Sequence, residues 1–329
     1  MDLTHKELVT GLLKSDRVIL GRAITLIESS RPDHREKAHK LIKDILPYTK
    51  KSIRIGITGV PGAGKSTFIE SFGKWLVDKG HKVAVLAIDP SSTKNKGSIL
   101  GDKTRMNELS MLQEVFIRPS PSRGTLGGVA SHTKETILLC ETAGYNYILV
   151  ETVGVGQSET EVNQLVDFFL LLMLSGAGDE LQGIKRGIME LADLLVVTKA
   201  DGENEQKAKQ AAAQYKNAMH LLPAHPGEWI PTALTCSSTE HKGIDKIYET
   251  INDYLNKTQI NGYFNFKRIE QDKWWLHETI KRELSLRFYN HPSIHQELNL
   301  AEKNIESGDA HPIAEAMRLI NLVLENRLI

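Results

Sequence analysis

The pattern of apolar and polar positions divides the chain into three regimes. Up to residue 52, apolar residues recur at helical spacing: Leu8, Leu12 and Leu13, then Val18, Ile19, Ala23 and Ile27. Arg31-Pro32-Asp33 interrupts this, and Ala38, Leu41, Ile42 and Ile45 resume it before Pro47. Over residues 53–257 the chain alternates between short, nearly continuous apolar runs and amphipathic stretches. The runs Ile53–Thr58, Val83–Ile88, Val115–Ile117, Tyr147–Glu151, Phe168–Leu174, Leu194–Thr198 and Pro231–Cys236 read as strands buried on both faces, as in a parallel sheet. Thr133–Thr142, Glu180–Leu191, Glu205–Leu221 and Gly243–Leu255 read as helices between them. Over residues 258–329 the alternation stops, and three helical stretches follow: one carrying Trp274, Trp275, Leu276, Ile280, Leu284, Leu286 and Phe288, then Ile294–Ser307 and Pro312–Arg327. The predicted fold is α/β: a mostly parallel sheet flanked by helices over 53–257, with helical extensions over 1–52 and 258–329. The last extension either covers the sheet edge or mediates self-association.

The pattern breaks most sharply after the first strand, at Gly59-Val60-Pro61-Gly62-Ala63-Gly64-Lys65-Ser66, with Thr67 following. Two glycines flanking four residues, then Lys-Ser, between a strand and a helix, make a phosphate-binding loop. Its backbone N–H groups and the helix N-terminus favour phosphate oxygens. Lys65 reaches the β- and γ-phosphates, and the Ser66 hydroxyl takes one position on Mg²⁺. Ligands gather at the carboxyl ends of parallel strands, so the residues ending the other strands matter next. Asp89 follows the second strand, where a carboxylate suits Mg²⁺, directly or through water, or the attacking water; before Pro90 it equally suits a turn. Asp102 lies in the long polar segment Pro90–Glu114, where it joins the metal shell if the loop closes on nucleotide; taken alone, it reads as a solvated loop aspartate. Glu151 ends the fourth strand in the position of the acidic residue near Mg²⁺, and Gly154 can sense the γ-phosphate through its N–H. Thr198-Lys199-Ala200-Asp201 ends the sixth strand where GTPases carry Asn-Lys-x-Asp. Asp201 would accept from guanine N1 and the exocyclic amine, and the Lys199 stem would cover the ring; adenine offers the opposite pattern. Thr198 stands where Asn is usual. Cys236-Ser237-Ser238 follows the last strand, where a GTPase closes over the base with a Ser-Ala pair; Ser238 stands for the Ala.

Composition narrows the partners. Lys+Arg and Asp+Glu are 41 each among 329 residues, so no basic footprint for nucleic acid is present at the whole-chain level. Two cysteines, Cys140 and Cys236, suggest neither a disulfide framework nor a cysteine-rich metal site. The segment beginning Met1-Asp2-Leu3 lacks the regions of a signal peptide, and the longest apolar run, Phe168–Leu174, is too short to span a bilayer. A cytoplasmic protein without membrane or nucleic-acid partners is expected.

The motifs together carry a resemblance. Gly59–Thr67 occurs with Ala-Ile-Asp-Pro-Ser-Ser at 87–92, Gly-Ser-Ile-Leu-Gly-Asp-Lys-Thr-Arg-Met at 97–106 and Arg-Pro-Ser-Pro-Ser-Arg-Gly-Thr-Leu-Gly-Gly at 118–128. Glu-Thr-Val-Gly-Val-Gly-Gln-Ser-Glu at 151–159 and Gly-Asp-Glu-Leu-Gln-Gly-Ile-Lys-Arg-Gly at 178–187 complete the set. The chain resembles the ArgK/MeaB family, the methylmalonyl-CoA mutase-associated GTPases, over nearly its whole length. The resemblance implies a GTPase chaperone that binds a cobalamin-dependent acyl-CoA mutase, gates adenosylcobalamin loading and protects the mutase from inactivation. It implies GTP/GDP and Mg²⁺ as ligands, and an acidic metal and hydrolysis site of Asp89, Asp102 and Glu151 beside Lys65 and Ser66. It further implies guanine reading by Asp201, a partner-sensing segment Gly178–Gly187 with Lys185 and Arg186, and a homodimer formed through the C-terminal helices. Two other functions compete: a protein kinase acting on periplasmic amino-acid-binding proteins, for which no hydroxyl-substrate groove is evident, and a GTP-dependent metallochaperone, which usually carries clustered Cys/His.

Overall fold

Seven apolar runs become seven strands, all parallel, in the order β3-β2-β4-β1-β5-β6-β7. They are β1 (Ile53–Gly59), β2 (Val83–Asp89), β3 (Val115–Pro121), β4 (Tyr147–Thr152), β5 (Phe168–Met173), β6 (Leu194–Val197) and β7 (Thr232–Thr235). The computed structural model describes residues 3–29, 31–89, 106–121, 132–152, 158–176 and 186–325. Parallel strands need crossovers, and helices supply them: α4 (Lys65–Asp78) after β1, α6 (Thr133–Thr142) after β3 and α9 (Glu205–Met219) after β6. Because β1 has β4 on one side and β5 on the other, the loops leaving these strands diverge above β1. That is the crevice in which open α/β sheets bind ligands. Beneath it, Phe68 and Phe72 of α4 stack with ring centroids 5.5 Å apart and pack with Leu149, Leu170 and Ile57 in the main core.

The segment Pro90–Glu114, read above as one long loop, contains a short helix, α5 (Asn107–Met111), at its end. Leu109 of that helix is buried beside Gly73 of α4, so an apolar contact orders this part. Residues 90–105 lie outside the described residues.

The N-terminal region forms α1 (His5–Leu13), α2 (Arg17–Ile27) and α3 (Pro32–Ile45). Thr4 and Glu7 close a capping box on α1, Asp16 caps α2 through Val18 and Ile19 N–H, and Pro32 occupies the first turn of α3. The helical phase restarts at the Asp16 cap. The buried stripe of α2 is Leu20, Ala23, Ile24 and Ile27, while Leu13 and Val18 are exposed, so each of the two expected faces loses one member. Ser15 Oγ donates to Ala143 O at 2.6 Å, and Arg118 of β3 pairs with Glu28, fastening these helices to the sheet layer.

At the amino ends of β1 and β5 lies a buried polar network. The Arg54 guanidinium pairs with Glu141 at 2.8 Å, and Ser52 Oγ donates to the same carboxylate. Asp167 accepts from Arg54 N–H and, through both oxygens, from Arg268, each at 2.8 Å. Arg268 belongs to the first turns of α11 (Tyr263–Asn290), which follows α10 (Ile244–Ile260).

The chain divides into two compact units, Met1–Gly124 with Gly128–Gln271, and Thr125–Gly127 with Asp272–Ile329. In the second, α12 (Pro292–Glu306) buries Ile294 and Ala301, α13 (Pro312–Glu325) buries Leu319 and Val323, and Arg318 pairs with Glu297 at 2.7 Å. Leu276, Ile280 and Leu284 of α11 and Ile313, Met317 and Ile320 of α13 are exposed. Among the described residues, no helix is long and apolar enough to cross a membrane.

Candidate functional site

The loop Gly59–Ser66 turns from β1 into α4 by backbone conformations that side chains resist. Gly62 and Gly64 sit at φ +79° and +77°, in the left-handed region that favours glycine. At Gly59 the constraint is steric: a Cβ would lie 2.4 Å from the Leu172 carbonyl oxygen on the neighbouring strand. Gly64 caps α4 without a side-chain hydrogen bond, so the first N–H groups of the helix have no competing cap. Lys65 Nζ donates to the carbonyls of Gly59 at 3.0 Å and Val60 at 3.4 Å, curling back over the loop. Burial pulls its ammonium below the usual lysine range, and the carboxylates of Glu151 and Glu159 push it back up.

Ser66 Oγ donates to Glu151 Oε1 at 3.3 Å, which joins the loop to the end of β4. Glu151 is 7% exposed, and Thr152 beside it donates to Thr58 of β1 at 2.7 Å. Ser66, Lys65 and Glu151, singled out from two motifs, are thus neighbours. Asp89 ends β2, but its side chain lies outside the described residues, as do Asp102, Gly154, Lys185 and the side chain of Arg186. Glu159, in the first turn of α7 (Ser158–Asn163), is nearly fully buried with its charge felt at Lys65. Sequence reading passed over it because only its motif, and no strand end, marked it.

The second half of the site is the turn after β6. Thr198 is 3% exposed, and its Oγ1 lies 2.7 Å from Ala63 O and 3.0 Å from Met173 O, both acceptors. A hydroxyl in place of the usual amide therefore still reaches the phosphate loop. Its departure from the common pattern leaves this brace in place. Ala200 N–H donates to Cys236 O at 3.0 Å, tying the turn to the loop after β7. Ser237 Oγ donates to Asp201 Oδ2 at 2.5 Å, and Thr239 Oγ1 donates to the same oxygen at 3.3 Å. Lys199 stands at φ +56° and is exposed. The loop Cys236–Lys242 closes on itself through Ser237 and Lys242, and His241 Nδ1 meets Ser71 Oγ of α4 at 2.9 Å. Ser238 Oγ lies 3.7 Å from the Cys236 sulfur. Both cysteines are free and buried, and burial pushes the Cys236 thiol up to about 11. His225 Nε2 lies 3.2 Å from Asp193 Oδ1.

This geometry sets a phosphate cradle beside a carboxylate and, across Ala63 and Thr198, beside a second acidic turn. Comparisons with known proteins agree on where such a combination occurs. Residues 20–293 match the family described as methylmalonyl-CoA mutase-associated GTPase MeaB. The GTPase ArgK of Escherichia coli K12 is 47% identical over 86% of this chain and 86% of its own length. A mouse (Mus musculus) protein named methylmalonic aciduria type A homolog, mitochondrial, is 45% identical over 93% of this chain and 76% of its own. A crystal structure of a protein called LAO/AO transport system kinase superposes with a TM-score of 0.75 at 36% identity, covering 98% of both chains. The chain belongs to the MeaB family of methylmalonyl-CoA mutase-associated GTPases.

Proposed function

We propose that this GTPase acts as a nucleotide-dependent chaperone of methylmalonyl-CoA mutase or a related cobalamin-dependent acyl-CoA mutase, gating adenosylcobalamin loading and protecting the mutase from inactivation. The observation that carries the reading is the family match across residues 20–293, in a chain whose phosphate loop is hydrogen-bonded to Glu151 and, through Thr198, to the turn that carries Asp201. GTP enters with its phosphates over Gly59–Thr67, where Val60, Pro61, Gly62, Ala63 and Gly64 contribute backbone alone. Lys65 exchanges the Gly59 and Val60 carbonyls for phosphate oxygens, which are stronger, charged acceptors. Asp201 accepts from the guanine edge, Lys199 covers the ring, and Cys236, Ser237 and Ser238 close the base side. The Ser66 hydroxyl and the Glu151 carboxylate are hard oxygen donors 3.3 Å apart, a set that fits Mg²⁺. With Asp89 and Asp102 they would hold the ion, which when bound supplies charge neutralisation at the β- and γ-phosphates. Glu151 and Asp89 orient the attacking water, and Gly154 senses the γ-phosphate.

The protein works in the cytoplasm as a homodimer through residues 258–329, a role supported by exposed Leu276, Ile280 and Leu284, spaced four apart along α11. Residues 1–52 form a cap and 53–257 the GTPase domain. Lys185 and Arg186 communicate with the mutase. GTP turnover, measured with and without a methylmalonyl-CoA mutase, tests the assignment. Turnover raised severalfold by the mutase is expected; turnover unchanged at saturating mutase, in a protein that hydrolyses GTP alone, contradicts it.

A further inference from the structure

The base-reading turn is pinned at three of its four residues by contacts already described: Thr198 to the phosphate loop, Ala200 to Cys236 and Asp201 to Ser237. Lys199 is the fourth, and the only one of them at positive φ, +56°, which a lysine adopts at a cost. Its carbonyl accepts from Asn204 Nδ2 at 2.6 Å. The other end of the same amide, Oδ1, accepts from Ser175 Oγ at 2.5 Å, two residues beyond the end of β5. The Lys199 carbonyl can only accept, while the Ser175 hydroxyl serves either way, so only the orientation with Nδ2 toward Lys199 satisfies both. Asn204 N–H also donates to Asp201 O at 3.0 Å, so one residue holds the backbone of Lys199 and of Asp201.

We propose that Asn204 is a positioning residue for base recognition: its amide, oriented by Ser175, locks the left-handed Lys199 so that the Lys199 stem and the Asp201 carboxylate are preset for a guanine. This inference rests on the assignment of Asp201 to guanine. Asn204 touches no nucleotide. It acts by holding Lys199 in a conformation the residue does not favour, which would otherwise relax when the base is absent and have to be restored on binding. Phosphate binding at Gly59–Ser66 does not involve it, so its effect falls on the base and spares the phosphates.

The test is the affinity of GDP and ADP, measured by competition against a fluorescent guanine nucleotide, in the wild type, Asn204→Ala, Asn204→Asp and Asp201→Asn. Asn204→Asp keeps the acceptor for Ser175 and has no N–H for Lys199, so it isolates the arm that matters. Both Asn204 variants are expected to lose up to about tenfold in GDP affinity, the upper end of what one hydrogen bond contributes, with ADP affinity unchanged. Their preference for GDP over ADP narrows by the same factor. Equal losses for GDP and ADP would mark Asn204 as plain scaffold, and a wild-type preference in both variants would equally overturn the proposal. If Asp201→Asn narrows the preference and the Asn204 variants do not, the guanine reading stands and the positioning role falls. If Asp201→Asn also leaves it unchanged, the guanine reading itself fails.

Discussion

The Lys65 ammonium donates to two carbonyls of its own loop, and phosphate oxygens are stronger acceptors than either. Its removal leaves the phosphate charge without its cation. Lys65→Ala is expected to weaken GTP binding or turnover about tenfold to a hundredfold, the value of a charge-assisted contact of roughly 1.5–3 kcal/mol. Nucleotide titration and steady-state turnover read it, and wild-type values would make the loop incidental. At Asp201 the expectation concerns selectivity: GTP displaces a fluorescent guanine nucleotide far better than ATP, and equal displacement would reject the assignment. These residues were legible from sequence because each sits at a fixed offset from an apolar run. Thr198 was legible only as a departure. That its hydroxyl reaches Ala63 and Met173 depends on how closely the loop, β5 and β6 approach, which spacing along one strand does not encode. Asn204 and Ser175, 29 positions apart, carried no motif for the same reason.

Elements follow their apolar patterns where burial is two-sided and escape them where it is not. The strands appear within a few residues of their expected bounds, and the central ones, β4, β5 and β6 among them, are buried throughout, while the edge strand β7 is half-buried. Leu13 and Val18 went astray because each stands at a helix end, Leu13 as the last residue of α1 and Val18 in the first turn of α2, where spacing alone does not fix which side is covered. The polar network at the amino ends of β1 and β5 was invisible in sequence, since Arg54, Glu141, Asp167 and Arg268 lie far apart. Burial pushes the Asp167 carboxyl up, but Arg268 and Arg54 more than offset it and hold it below its ordinary value of 3.8. A carboxylate depressed in the folded state stabilises above its unfolded pKa and loses that contribution as pH falls through the folded one. Asp167→Asn, which leaves Arg268 facing an uncharged amide, is expected to lower stability by about 3 kcal/mol near neutral pH. The gap between variant and wild type should begin to narrow as pH falls below about 3.8, where the unfolded carboxylate protonates, and close as pH falls on through the lower folded value. Denaturant unfolding at pH 7 and pH 3 checks this, and a gap independent of pH would remove Asp167 from the acid response.

For the whole molecule, nucleotide becomes a signal only if the partner distinguishes its two states. In the proposed function GTP sits at one set of strand ends, and the chaperone role requires that this occupancy alter a surface the mutase contacts. A ligand that binds both states equally shifts neither. Moving the balance tenfold requires the mutase to bind one nucleotide state about 1.4 kcal/mol more tightly than the other. The decisive measurement is therefore the dissociation constant of the mutase complex, taken by calorimetry with the protein saturated in turn by a non-hydrolysable GTP analogue and by GDP. A difference of tenfold or more is the expected result. Equal affinities for the two forms, or no complex with either, would contradict nucleotide-dependent chaperoning of the mutase.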